Sequence, residues 1–416
     1  KMKKSIFLAA LVLIGASCFA QKSNVSKARN MADAETPDFV SARSAIKEAL
    51  VNDETKDQAN TWYVAGYVGY KEYEAEKFKQ YTGIQMNVTV AANAILESMK
   101  YWDKACELAK VPTYDKKGKA KYDTRTPKNI LPKLKEYFES QILLVASTEV
   151  ADADPALAYE YSNAHLSIPG KSVMTDNGEQ LECDTTYYVF MCQAGIYAYQ
   201  ANMYNEAIES LKLLETEKAK QNAQRSVLIY ANQYLYQIYI EQKDTVNAVA
   251  TLKSAINEYP EDAWFMQNLI NLYISSGNND KAIEMLDVAI NREPNVGQYH
   301  MIKGQLYSVN LKDYPAAFAC FQKALDVEPE NADIVYSFGA AYHDYGKDIL
   351  EKATYIEDKL TYERELEKAN EAFKNALPYC EKAYELNPDN YDFKRALGQI
   401  YYRLGMDDKY SALMGE

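Results

Sequence analysis

Three histidines are the first residues to ask about chemistry, because a metal or a proton relay would need them. His165, His300 and His343 are far apart, and none has a carboxylate or cysteine at ligand spacing on its own predicted helix. His300 falls at a large-residue position of a helix, where packing or the lining of a groove accounts for it. No glycine-rich phosphate loop appears, and Ser275-Ser276-Gly277 is an interhelical turn, not a nucleophile elbow. The abundant carboxylates belong to solvated helix faces. No catalytic residue, metal ligand or cofactor site is predicted, so the chain reads as a non-enzyme.

The cysteines point the same way. Cys106, Cys183, Cys192, Cys320 and Cys380 are too sparse for a disulfide framework. Cys320 and Cys380 sit in helical core patterns as small apolar side chains, while Cys183 and Cys192 are close enough in sequence to pair or to stay free. Tyrosine is the residue in surplus, 36 against 12 phenylalanines. Framework packing needs many of these rings. Others are expected to face a partner, since tyrosine offers apolar area with little entropy to lose and a hydroxyl to orient what binds. The candidates for a binding groove are Tyr67, Tyr70, Tyr73, Tyr188, Tyr199 and His300.

What would position such a groove is a repeat. Leu235, Tyr239, Ala248, Leu252, Ala255 and Pro260 recur 34 residues later as Leu269, Tyr273, Ala282, Leu286, Ala289 and Pro294. A third copy runs Gly304, Tyr307, Ala317, Phe321, Ala324 and Pro329, with one extra residue between its two helices. Small side chains let paired helices approach, and the large ones fill the space around them. The proline lacks the donor that a continuing helix needs, so the chain turns there.

These offsets resemble the tetratricopeptide repeat. The resemblance implies an all-α solenoid of helical hairpins, a right-handed α-α superhelix of about eight to nine hairpins. Weaker copies extend it outward. Ala42, Ile46 and Ala49 suggest an initial hairpin around Pro37; Trp62, Ala65, Gly66 and Tyr70 open a unit whose second helix runs from Val88 to Leu108; Gly195, Tyr204 and Ala207 mark another. Two interruptions stand out, a basic loop at 112–127 and a polar connecting segment at 170–184. The front part, 21–169, is irregular, and 185–416 is a regular array with an extended helix over 347–387 and a C-terminal capping helix.

Residues 1–20 read as a secretory signal, with Lys1, Lys3 and Lys4 before an apolar run from Ile6 to Ala16 and cleavage before Gln21. The run is too short to span a bilayer. Acylation at Cys18 is the alternative. Losing three lysines and no acid takes the formal charge from −13 to −16, and so acidic a surface argues against nucleic acid as partner. The signal, the Lys117–Lys119 loop and the closing Tyr401–Tyr410 stretch resemble secreted tetratricopeptide proteins of Bacteroidetes. That likeness implies a periplasmic location with peripheral outer-membrane association, and no catalytic residues. Asp184-Thr185-Thr186 and Asp244-Thr245-Val246 look like O-glycan acceptors of that phylum, at Thr185 and Thr245. The expected partner is a protein or peptide segment held on the concave face; a glycan-binding role in an outer-membrane uptake system is the alternative.

Overall fold

A computed structural model describes residues 23–415. The predicted signal, its cleavage point at Gln21 and Cys18 lie outside those residues. The described chain is helical except for one two-stranded hairpin, and by its contacts it divides after Asp244 into two compact units.

The front unit starts with α1 (23–32), α2 (Phe39–Val51), α3 (Ala59–Tyr81) and α4 (Val88–Ala109). Ala42, Ile46 and Ala49 are buried on one face of α2, as the initial hairpin requires. A hairpin of β1 (Thr113–Tyr114) and β2 (Ala120–Lys121) then leads to α5 (Arg125–Ser140), α6 (Ile142–Val150), α7 (Pro155–Ser167) and the single turn α8 (Ser172–Thr175). The unit closes with α9 (Thr185–Gln200), α10 (Tyr204–Lys212), α11 (Glu217–Asn222) and α12 (Arg225–Glu241). Helix α3 is pressed onto α4 through its glycines. A Cβ on Gly66 would sit 2.4 Å from the Trp102 ring, and one on Gly69 2.6 Å from the Ala94 carbonyl.

Both interruptions are more ordered than loops. The basic segment is folded as the β-hairpin, with Thr113 opposite Lys121 and Tyr114 opposite Ala120. It ends earlier than expected because Asp123 starts a helix: its carboxylate accepts the backbone N–H groups of Arg125 and Thr126, at 2.9 and 3.1 Å. Asp123→Ala is expected to cost about 1 kcal/mol, seen as a lower urea midpoint of the full chain. The polar segment follows a 3-10 turn at Ile168–Gly170 and holds α8, and Val173 and Met174 are buried in the front core. It is packed structure, not a bare connector.

The rear unit contains α13 (Thr245–Glu258), α14 (Ala263–Ser275), α15 (Asn279–Arg292), α16 (Gly297–Gln305), α17 (Tyr314–Val327), α18 (Ala332–Ala353), α19 (Lys359–Leu386), α20 (Tyr391–Arg403) and α21 (Asp407–Met414). The repeat residues Leu269, Tyr273, Ala282, Leu286, Ala317, Phe321 and Ala324 are all buried. The fold is the all-α helical-hairpin repeat that the offsets predict. At Gly304 the space that a Cβ would take is filled by the Phe321 ring, 2.9 Å away. The glycine therefore accommodates the large residue of the second helix, where the sequence had placed the opening alanine opposite it.

The extended helix expected over 347–387 is instead two helices. Helix α18 stops at Ala353, where the Thr354 hydroxyl donates to the Glu351 carbonyl at 2.6 Å. Asp358 then caps α19, accepting from the Thr361 N–H at 2.8 Å. The pair pack along each other, with Gly339 under Cys380 and Gly346 under Phe373.

Candidate functional site

The extra residue of the third repeat is absorbed as a π-helical turn. Leu306–Leu311 continues α16 with i→i+5 pairing and ends at Lys312, whose φ is +55°. The Asp313 N–H closes the turn on the Tyr307 carbonyl at 2.9 Å. Tyr307 keeps its place in the repeat while the widened turn pushes its neighbours out: Val309 and Leu311 are 59% and 41% exposed. Such turns widen a helix locally and often mark a working surface.

That turn borders a cavity of about 340 Å³ to which three successive first helices contribute. Ile274 comes from α14, Gln305 from α16, Ser308 and Val309 from the π turn, and Ala340 and Asp344 from α18. Gln305 Nε2 donates to Ser337 Oγ at 3.1 Å, tying α16 to α18 across the floor. The Tyr336 ring at one wall stacks on Phe393, centroids 4.7 Å apart, and is held in place. At the rim Asp344 has His343 Nδ1 3.6 Å away, and that ring keeps the carboxyl below its usual range. The result is an apolar trough with amide and hydroxyl groups on its floor and one carboxylate at its edge, a surface suited to a side chain and backbone of an extended or helical segment.

The residues singled out from sequence are placed otherwise. Tyr67, Tyr70 and Tyr73 do come together on α3, ring to ring at 6.1 and 6.2 Å, but they are engaged internally. Tyr67 donates to Asp33 at 2.7 Å and Tyr70 to Glu136 at 3.1 Å, with Arg29 and Lys133 over their faces. Tyr73 is fully buried edge-on against Tyr137 at 5.0 Å, and Tyr188 is buried as well, so neither ring is available to a partner. Tyr199 is half-buried, with its hydroxyl on Glu241 and its ring against Tyr234. His300 is half-buried; burial first, then Lys323 and Lys303, push its pKa down, and it does not line the trough. Thr185 and Thr245 open α9 and α13 and are exposed, and the Asp184 carboxylate is used as a cap by the Tyr187 N–H at 3.0 Å. Cys183 and Cys192 are both free thiols. Among the described residues no three His, Cys, Asp or Glu side chains gather as a metal site.

Sequence reading missed the trough because its lining mixes ordinary core-type residues such as Ile274 and Leu306 with small and polar ones, and only the one-residue excess in the third repeat pointed there. Models of the tetratricopeptide repeat match residues 239–306 and 297–331. Residues 239–331 therefore carry tetratricopeptide repeats. It is 29% identical over 182 residues to cellulose synthase operon protein C of Pseudomonas fluorescens, covering 41% of this chain and 14% of that one. It is also 29% identical over 180 residues to the Hsp70-Hsp90 organizing protein of Triticum aestivum, covering 40% of this chain and 30% of the relative. The chain thus spans less than a third of either relative's length. Among solved structures, a TPR repeats protein from Bacteroides fragilis matches 67% of this chain and 98% of its own, at 20% identity and TM-score 0.30. MamA from Desulfovibrio magneticus matches 44% and 88%, at 18% identity and TM-score 0.30. Scores this low equate neither chain's overall path with this one.

Proposed function

We propose that this tetratricopeptide-repeat protein is an exported, non-catalytic scaffold that holds a peptide segment of a partner protein in the trough beside the π turn. The observation that carries the reading is that trough: three first helices leave an apolar cavity open, lined with exposed Val309 and with amide, hydroxyl and carboxylate groups. A preformed groove lowers the ordering cost on the protein's side of binding. One of the two relatives is named for organizing Hsp70 and Hsp90, a role of the same kind. Export rests on the residues of the leader, with cleavage before Gln21 favoured over acylation at Cys18; intact-mass measurement of the processed chain from a fractionated cell tests both.

The groove is tested with peptides selected from a random display library on the immobilised chain and then measured by fluorescence anisotropy. Ala340→Arg fills the trough, and at least a tenfold loss of affinity is expected, about 1.4 kcal/mol. Tyr67→Phe, in the front unit and not among the residues that line the trough, is expected to bind like the parent. Peptides that bind both variants equally well would remove the trough from the account.

A further inference from the structure

We propose that the β1–β2 hairpin is a docking surface for an anionic lipid bilayer. Charge is the first observation. Residues 110–128 contain seven lysines and arginines and two acids, in a chain whose formal charge is −13. Both acids of the segment are turned to backbone donors. Asp115 accepts the N–H groups of Lys117 and Lys119 at 2.9 and 3.0 Å, and Asp123 caps α5. Lys110 pairs with Asp176 at 2.8 Å. The other six cations, Lys116, Lys117, Lys119, Lys121, Arg125 and Lys128, have no carboxylate in ion-pair range among the described residues.

Exposed apolar surface in the same segment is the second observation. Val111, Tyr114 and Tyr122 are 59%, 70% and 58% exposed. Tyr114 lies opposite Ala120, and Tyr122 follows directly on the end of β2. Tyr122 and Lys128 also line a cavity of about 370 Å³ whose other walls come from the end of α4, the start of α5 and α8. The tip turns at Gly118, with φ +75° and no atom within 4 Å of where a Cβ would lie, so it projects into open solvent.

A convex tip with tyrosines among lysines suits the headgroup layer. Its rings are amphipathic enough to settle at that level, and the lysine stems lie along apolar surface while their ammonium groups reach phosphate. Each lysine near an anionic surface adds a few-fold to the affinity, and salt screens the effect. No helix of the described residues is long and apolar enough to cross a membrane. Attachment through this hairpin is therefore peripheral and reversible.

Flotation of the chain from Gln21 to Glu416, which keeps every described residue, tests this with vesicles of phosphatidylcholine alone or mixed with phosphatidylglycerol. The chain is expected to float with the mixed vesicles only, and less as salt rises. Lys116→Gln, Lys117→Gln, Lys119→Gln and Lys121→Gln together are expected to lower partitioning by at least about 100-fold. Tyr114→Ser with Tyr122→Ser is expected to lower it several-fold and leave the salt dependence unchanged. Should the quadruple variant lose helicity, Lys116→Gln with Lys119→Gln is read in its place, with about a tenfold loss expected. Ala340→Arg, which disables the trough, is expected to float like the parent. Equal flotation with neutral vesicles, no flotation with anionic ones, unchanged partitioning of the lysine variants, or retention on a soluble acidic polymer in place of vesicles would each overturn the proposal.

Discussion

Trp102→Ala is expected to destabilise the front unit by about 3–5 kcal/mol. The indole is buried to 1% exposure where α3, α4 and α5 meet. It stacks on Tyr137 with centroids 5.8 Å apart and planes 15° apart, and touches Tyr70 at 6.1 Å. Its Nε1–H donates to the Tyr63 carbonyl at 3.2 Å, so truncation removes a donor as well as volume. The wall around it is rigid aromatic surface that collapses poorly into a void. Urea unfolding of the full chain, with hydrogen exchange to localise the loss, checks this, and the faster exchange is expected in α3, α4 and α5. A change below about 0.5 kcal/mol, the level of a surface substitution, would contradict the packing described. Gly66→Ala, which drives a methyl into the same ring, is expected to cost about 1–3 kcal/mol alone. In the Trp102→Ala background it costs less, because the methyl enters space the ring has left.

The second large effect is a loss of stability in acid that traces to one side chain. His165 is buried on α7 with its ring stacked on Phe138 at 4.7 Å, and its Nδ1 has no partner. Burial pushes its pKa from 6.5 down to about 4, with Asp184 opposing weakly. Above pH 6.5 the ring is neutral folded or unfolded and contributes no pH dependence. As pH falls from about 6.5 to about 4 the unfolded chain takes up a proton that the folded chain refuses, so stability declines through that window by about 3 kcal/mol. His165→Leu keeps the volume and removes the titration. The difference in unfolding free energy between parent and variant is expected to widen steadily in the variant's favour from pH 6.5 to 4, and to be flat above. A parallel pair of curves across that range would show that the ring accepts its proton in place.

Local spacing made the rear hairpins readable. Leu269, Tyr273, Ala282, Leu286, Ala317 and Phe321 are buried because helical periodicity and repeat offset put each on the face that its neighbour covers. Caps are local as well, and the ones at Asp184 for α9 and at Asp358 for α19 could both have been read from the sequence. The stretch 347–387 read as one helix because its composition is helix-favouring throughout. A single aspartate and a threonine decided the break, and their weight is small beside a run of good helix formers.

The candidate site was less legible for a different reason. Tyr67, Tyr70 and Tyr73 are three residues apart on one helix and look equivalent in the sequence. Their fates diverge because Tyr137 and Glu136, more than sixty positions away on α5, enclose Tyr73 and tether Tyr70. The one-residue excess in the third repeat was countable, yet whether it would lengthen a loop or widen a helix depended on Tyr307 staying in the core while Lys312 took the left-handed turn.

By itself the order of residues determined the helical class, the hairpin period and the small-on-large pairing, since all of these follow from side-chain size at fixed offsets along the chain. Which rings face solvent, where a trough stays open, and how two separate inserts come to border one cavity were decided only by tertiary packing. Those outcomes depend on contacts between residues distant in sequence, and no local pattern encodes them.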